Sequence, residues 1–436
     1  MTFENKGAMA STCVVAAQDS LNIAAANYVC TAGINDDVTI QEALNNYGEV
    51  VLLEGNYTPQ ANLTIPDDTC LRGQGFGTII TPTGAAIGGA LNGAIEMGSR
   101  SMLKSLKVIL AAGAGGAGTR PNNIKATGNS TLIENVYVVG DTSVAIDGSE
   151  SRQDGIYLSG DSHKVISCHL TSFRNYGVYS TNGNYNTYSG NSVQGSTAVG
   201  IWQRGGSYNN IIGNNIDITG VHAIGTRSAD NNVISGNFLH STGNIALYIF
   251  NSSDYNTISG NTIVSSLTGI SVSIGIPIGN TITGNTVVGC TSGIKISGAL
   301  RTTITGNTVA DNDQHGIYLE SSSENVITGN QVDDNGVGGT YHGIYIYRSS
   351  YCTITGNVCN NNLIDGINVT GDATTNSDYN AVNGNVCYGN GDDGIELAGG
   401  ADCNKNVVTG NQLLGNTGTP LVDGGNNTNV GHNITV

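Results

Sequence analysis

Four residues stand out by type and spacing: His315, His342, Asp365 and Asp393. Each directly precedes a Gly-Ile, and they lie 27, 23 and 28 residues apart. If the chain returns to one place per interval, they line up about 5 Å from one another. Imidazoles and carboxylates that close can exchange protons, as cleavage of a glycosidic bond requires. The same acids can hold a hard cation that in turn holds a uronate. Asp313, Glu320, Asp392 and Glu396 stand nearby in the same segments. Further up the chain the column continues as Asp154, Tyr176, Val199, His222, Ile245, Thr268 and Ser292. That mixture supports a plainer alternative, a turn position where His, Asp and Tyr are ordinary polar fillers. The four residues are therefore candidates for catalysis, with Ca2+ as the candidate ion and no cofactor certain. Nine Cys form no CxxC pair or Cys/His cluster of metal-site spacing, so no dedicated metal ligands are assigned.

A second column follows the first by three residues: Tyr157, Tyr179, Trp202, Gly225, Tyr248, Ser271, Lys295, Tyr318, Tyr345, Asn368 and Glu396. Two residues further on stand Arg204, Arg227, Phe250, Glu320 and Tyr347. Sugar rings stack on aromatic faces, and Arg donates in a fixed fork to hydroxyls and carboxylates. Tyr157, Tyr179, Trp202, Arg204, Arg227, Tyr248, Tyr318 and Tyr345 are thus the candidate substrate-binding residues. Two alternatives stay open. Aromatics also stiffen the outer face of a sheet, and such a stripe can be buried between the subunits of a homotrimer.

Both columns need a scaffold that repeats. Gly-Asn recurs with its Asn at 191, 214, 237, 261, 285, 307, 330, 357, 385 and 411, in steps of 22 to 28 residues. The Gly-Ile column keeps nearly the same period. Within one period apolar residues alternate over three to five positions, as in Ile294 inward, Lys295 outward, Ile296 inward, which is strand periodicity. A coil of ~23 residues is too short for a propeller blade. Stacked coils of short strands remain: an all-β parallel β-helix, in which ladder Asn side chains pass hydrogen bonds from coil to coil. A second Asn recurs four residues before the ladder Gly, as in Asn232, Asn256 and Asn280. The Gly is expected at a turn that a Cβ would obstruct.

Ahead of the array, "DDVTIQEALNNYG" (Asp36–Gly48) places Val38, Ile40, Ala43 and Leu44 at helical spacing. A helix here would cap the open end of the solenoid. Residues 1–48 read as leader and cap, and residues 49–436 as the β-helix, one domain with its cap. The Gly/Ala-rich "AAGAGGAGTRPNN" (111–123) reads as a loop extruded between coils. Cys359 and Cys387 read as stacked core residues, and a pairing of Cys13 with Cys30 stays open. At the far end, Gly431-His432 falls where Gly-Asn would be.

Charge narrows the partners. There are 33 acidic against 16 basic residues, a net charge of −17. No basic stripe exists to displace counterions from nucleic acid. No apolar run is long enough to span a membrane. The first twenty residues lack the basic and apolar regions of a signal peptide.

Residues 36–80, "DDVTIQEALNNYGEVVLLEGNYTPQANLTIPDDTCLRGQGFGTII", resemble the N-terminal opening of pectate-lyase-like right-handed parallel β-helix proteins. "VVAAQDS…ANYVC" resembles leaders on β-helix proteins of phage and environmental prokaryotes. With the repeats, the resemblance covers nearly the whole chain. It implies the fold. It does not choose among polysaccharide lyases, glycoside hydrolases, epimerases and tailspikes. The polygalacturonase order of motifs is not kept: Asp392-Asp393 follows both His-Gly pairs, and no Arg-x-Lys comes after. The expectation is an extracellular or virion-surface protein that recognises a polysaccharide or cell-surface glycan, with or without lyase, epimerase or hydrolase activity. The alternative is a non-catalytic structural or adhesive solenoid.

Overall fold

The computed structural model describes residues 11–31, 36–82, 93–110, 122–141, 153–217, 219–398 and 403–435. The loop expected at 111–123 lies almost wholly outside them. The chain forms two compact units, Met1–Gly220 and Val221–Val436. Each stacks short strands into three parallel sheets, here called A, B and C.

In the C-terminal unit one coil runs through Thr281–Thr283 in sheet A, Thr286–Val288 in sheet B and Ser292–Ser297 in sheet C. The next coil pairs with it in parallel, residue on residue: Ile282 with Ile304, Val287 with Val309, Ile294 with Ile317. The inward side chains of all three strands are buried and fill the bore. Outward Thr and Ser keep the surface wet, as the period of two demands. Cys359 and Cys387 pair in the same register and lie fully buried in this core.

Asparagine fixes the turns. The Oδ1 of Asn285 accepts the backbone N–H of Asn261 at 2.9 Å, and Asn307 does the same for Asn285. Each amide also donates to the carbonyl of an inward residue, Asn285 to Ile258 and Asn307 to Ile282. The second expected ladder is present as Asn232, Asn256 and Asn280. A third, not foreseen, runs through Asn312, Asn335, Asn362, Asn390 and Asn416 at the turn between sheets B and C. Its signal was in the sequence: each lies five residues after a ladder Asn.

Three expectations are corrected. The ladder Gly is not required by space, since a Cβ on Gly284 or Gly306 would meet nothing within 4 Å. Its φ of +61° is the reason, a left-handed backbone that costs other residues about 1–2 kcal/mol. It is the Gly before Ile that is crowded: a Cβ on Gly293 would come within 2.3 Å of the Gly316 carbonyl oxygen. At the C-terminal end the register is His432-Asn433, because Asn433 Oδ1 accepts the Asn411 N–H at 3.0 Å and His432 takes the positive φ. The third correction concerns the cap.

In the N-terminal unit the expected helix forms at Asp36–Asn46 and buries Ile40, Ala43 and Leu44, but Val38 stays 57% exposed. The helix end is placed by polar contacts instead. Asp36 and Asp37 accept the backbone N–H groups of Thr58 and Gln60, and the Gln41 amide pairs with the backbone of Thr64. The strand Thr12–Ala16 precedes the helix and joins sheet A beside Glu49–Leu52. Buried Tyr57 ties it down, its hydroxyl meeting Ala17 N–H and the carbonyls of Val15 and Leu53.

Candidate functional site

The chemistry-bearing columns lie on the strands of sheet C. In the C-terminal unit, Tyr318 pairs with Tyr345, Tyr345 with Asn368, and Asn368 with Glu396. Alternation turns all four outward. The column His315, His342, Asp365, Asp393 stands just before these strands, at the turn leading from sheet B.

That turn explains part of the column. His315 Nδ1 accepts the backbone N–H of His342 at 3.1 Å. Asp365 Oδ1 accepts that of Asp393 at 3.0 Å, and Asp393 Oδ1 that of Thr419 at 2.6 Å. In the N-terminal unit Asp154 does the same for Tyr176. Each side chain thus holds the next coil's turn in place, as a short polar residue at a turn can.

The remaining atoms converge. His342 Nδ1 lies 3.0 Å from Asp365 Oδ2. Asn368 Nδ2 donates to Asp365 Oδ2 at 2.8 Å and to Glu396 Oε2 at 2.5 Å. Carboxylate oxygens of Asp365, Asp393 and Glu396 lie within 4.8 Å of one another. Among the described residues this is the one acidic group compact enough to share a hard cation, and its all-oxygen donor set would suit Ca2+.

Three carboxylates this close cannot all ionise freely. Asp365 is 1% exposed, and burial opposes its charge, but the His342 imidazole and the Asn368 amide outweigh that and hold it below the usual carboxylate range. Glu396 is pushed up, by burial first and then by the charges of Asp365 and Asp393. Asp393, 8% exposed, is also raised, mainly by burial against the pull of Thr419. The cluster therefore sets one carboxyl group held below its usual range beside two held above theirs. His315 differs: burial and the neighbouring His342 lower it to about 3, so it stays neutral.

Rings continue the site along the sheet. Tyr345 stacks on His315 at 4.5 Å, on Tyr318 at 5.3 Å and on Tyr347 at 5.9 Å between centroids. Lys295 Nζ lies 5.0 Å over Tyr318 and 3.2 Å from Glu320, while Arg348 sits over Tyr347 and pairs with Asp372. An aromatic floor flanked by cations thus leads directly to the acids.

The other candidates are divided between the units. Arg227 lies over Phe250, which stacks on Tyr248 at 4.4 Å, on earlier coils of the C-terminal unit. In the N-terminal unit Tyr157 pairs with Tyr179 and Tyr179 with Trp202. Tyr176 stacks on both Tyr179 and Trp202, and Tyr179 is left 7% exposed beneath its neighbours. Arg204 is exposed at the end of its strand. Glu396 and Asn368 appear in the outward column of the sequence, but their partnership with Asp365 was not assigned there. The signal is register: Asn368 falls two coils after Tyr318 and Glu396 three. Arg348 directly follows the outward Tyr347, but that spacing did not point to its pairing with Asp372.

Residues 123–275, 239–377 and 279–435 match the family described as the right-handed β-helix region. No curated protein is similar in sequence. Among solved structures, a mutant of the periplasmic alginate epimerase AlgG shares 13% identity over 88% of this chain and 78% of its own, at a TM-score of 0.46. The Dettilon tailspike protein shares 16% over 91% and 66%, at 0.48. A DFA-IIIase from Arthrobacter chlorophenolicus shares 11% over 64% and 83%, at 0.49. With three overlapping matches from residue 123 to residue 435, the chain belongs to the right-handed β-helix family.

Proposed function

We propose that this protein recognises an extended glycan along sheet C of its C-terminal unit and cleaves it there, at an extracellular or virion surface. One observation carries the reading: the outward column runs from Tyr318 and Tyr345 into Asn368 and Glu396, so an aromatic floor ends at paired carboxylates. A sugar lying on the tyrosines would extend onto Glu396, the half-exposed member of the acid cluster. Glu396, whose proton affinity is raised, would protonate the leaving oxygen. Asp393 would act as the second carboxylate. Asp365 is too enclosed to touch substrate and serves to position Asn368 and set the charge of Glu396. The carboxylate oxygens lie within 4.8 Å of one another, nearer the roughly 5 Å usual for a retaining displacement than the wider spacing of an inverting site.

A panel of acidic and neutral polysaccharides, assayed for new reducing ends and for the absorbance of unsaturated uronates, tests this. Reducing ends without that absorbance are expected, with Glu396→Gln losing about 10²- to 10⁴-fold. Absorbance would mean elimination instead of hydrolysis. The turn-holding contacts of the His/Asp column favour a second reading, a non-catalytic adhesive solenoid. Glycan binding that needs Tyr318 and Tyr345, without cleavage of any polymer, would select it. Absence of both binding and cleavage across the panel would overturn the carbohydrate reading.

A further inference from the structure

We infer that the N-terminal unit carries a separate binding site for a single, negatively charged saccharide ring on the outer face of its sheet B, walled by Phe76, Tyr137 and His169. The ligand class rests on the carbohydrate reading above, but the site and its residues do not overlap the sheet C cluster. Strands Tyr137–Val139, His169–Thr171 and Ser192–Gln194 pair in parallel, so Tyr137, His169 and Ser192 form one outward row and Val139, Thr171 and Gln194 the next. Phe76 reaches over this face from the turn before Thr78–Ile80, where Gly75 takes a φ of +97°.

The three rings meet edge to face. Phe76 lies 5.6 Å from Tyr137 and 5.8 Å from His169, and those two lie 6.0 Å apart, with interplanar angles of 63°, 88° and 65°. Rings set so steeply to one another make a corner instead of a closed stack. The corner opens on a cavity of about 270 Å3 whose other sides are Thr171, Ser192 and Gln194. Phe76 is 40% exposed, a large ring held partly in water. Aromatic walls with a few hydroxyl and amide groups are what a pyranose needs, its C–H face on a ring and its hydroxyls on the polar side. The volume is below the range for drug-sized ligands of about 300–1,000 Å3, which suits one ring.

Charge selects among ring-shaped ligands. Lys107 Nζ sits 4.8 Å from the Tyr137 centroid. Its ammonium already uses that ring's quadrupole and repels a second cation, which argues against the quaternary ammonium groups that aromatic cages otherwise take. The same charge attracts a carboxylate. A uronate unit satisfies both halves of the site.

The test uses the full chain carrying Tyr318→Ala and Tyr345→Ala, which removes the two tyrosines of the sheet C floor. Saturation-transfer NMR is run with methyl glucuronoside, methyl glucoside and tetramethylammonium. The glucuronoside should bind best, and Phe76→Ala should weaken it by about tenfold. Lys107→Gln should bring it down to the level of the neutral glucoside. His169→Ala provides a second exposed wall should Phe76→Ala fold poorly. Unchanged binding in both wall variants, no transfer to either sugar, or preference for tetramethylammonium would overturn the site while leaving the sheet C reading untouched.

Discussion

Asp365 and Glu396 are linked through one Asn368 amide, yet their proton affinities are driven apart. This has a kinetic consequence. A general acid must be protonated, so activity should fall as pH rises through the Glu396 pKa, which lies above its ordinary 4.5. Asp365→Asn removes a charge that helps raise Glu396. The alkaline limb of the pH–rate profile should then move to lower pH, a shift that lost folding alone would not produce. His315 bears on stability instead. Its folded pKa of about 3 lies below the unfolded value, so the folded state binds fewer protons. The sign follows: its contribution is complete above about pH 6.5 and is lost as pH falls towards 3. Urea denaturation at pH 7 and pH 4.5 should differ by roughly 2 kcal/mol more in the wild type than in His315→Gln.

Among elements, the two kinds of glycine and the ladder Asn carry distinct loads. Gly306 has an open Cβ position and a positive φ, so Gly306→Ala should cost about 1–2 kcal/mol. Gly293 faces the Gly316 carbonyl of the next coil, so Gly293→Ala must push coils apart and should cost roughly 3 kcal/mol. Asn307→Leu strands the buried Asn285 N–H and the Ile282 carbonyl, at roughly 1–3 kcal/mol for each group. Equal costs for the two glycine variants in thermal or urea unfolding would show that backbone conformation, not close approach, governs both.

At the scale of the molecule, each coil of the C-terminal unit contacts its neighbours through the same three strand positions. Removing one period should therefore keep the fold. Deletion of residues 262–285 joins Asn261 to Thr286 and removes one strand from each sheet, Thr262–Val264, Thr268–Ser273 and Thr281–Thr283. The variant should retain its β-sheet circular dichroism, with a urea m-value reduced in line with the surface lost. Deletion of 262–273 breaks the period and should leave the unit unfolded or aggregated. Survival of the half-period deletion would mean that registry does not hold the stack together.

The sequence alone determined the repeat, the vertical order of its columns and two of the three Asn ladders. Stacking turns sequence period directly into spatial neighbourhood, so Asn285 had to meet Asn261 and Asn307. The cap helix was legible from its apolar spacing, though not which residues anchor it, because Val38 fits the pattern and the polar contacts of Asp36, Asp37 and Gln41 do not show in it. Tertiary structure decided what happens sideways. That His342 reaches Asp365, that Asn368 bridges to Glu396, and that Phe76 arches over Tyr137 and His169 depend on side-chain direction and on turns outside the repeat. Period specifies which residues share a floor-to-floor column; only packed coordinates bring one column into contact with the next.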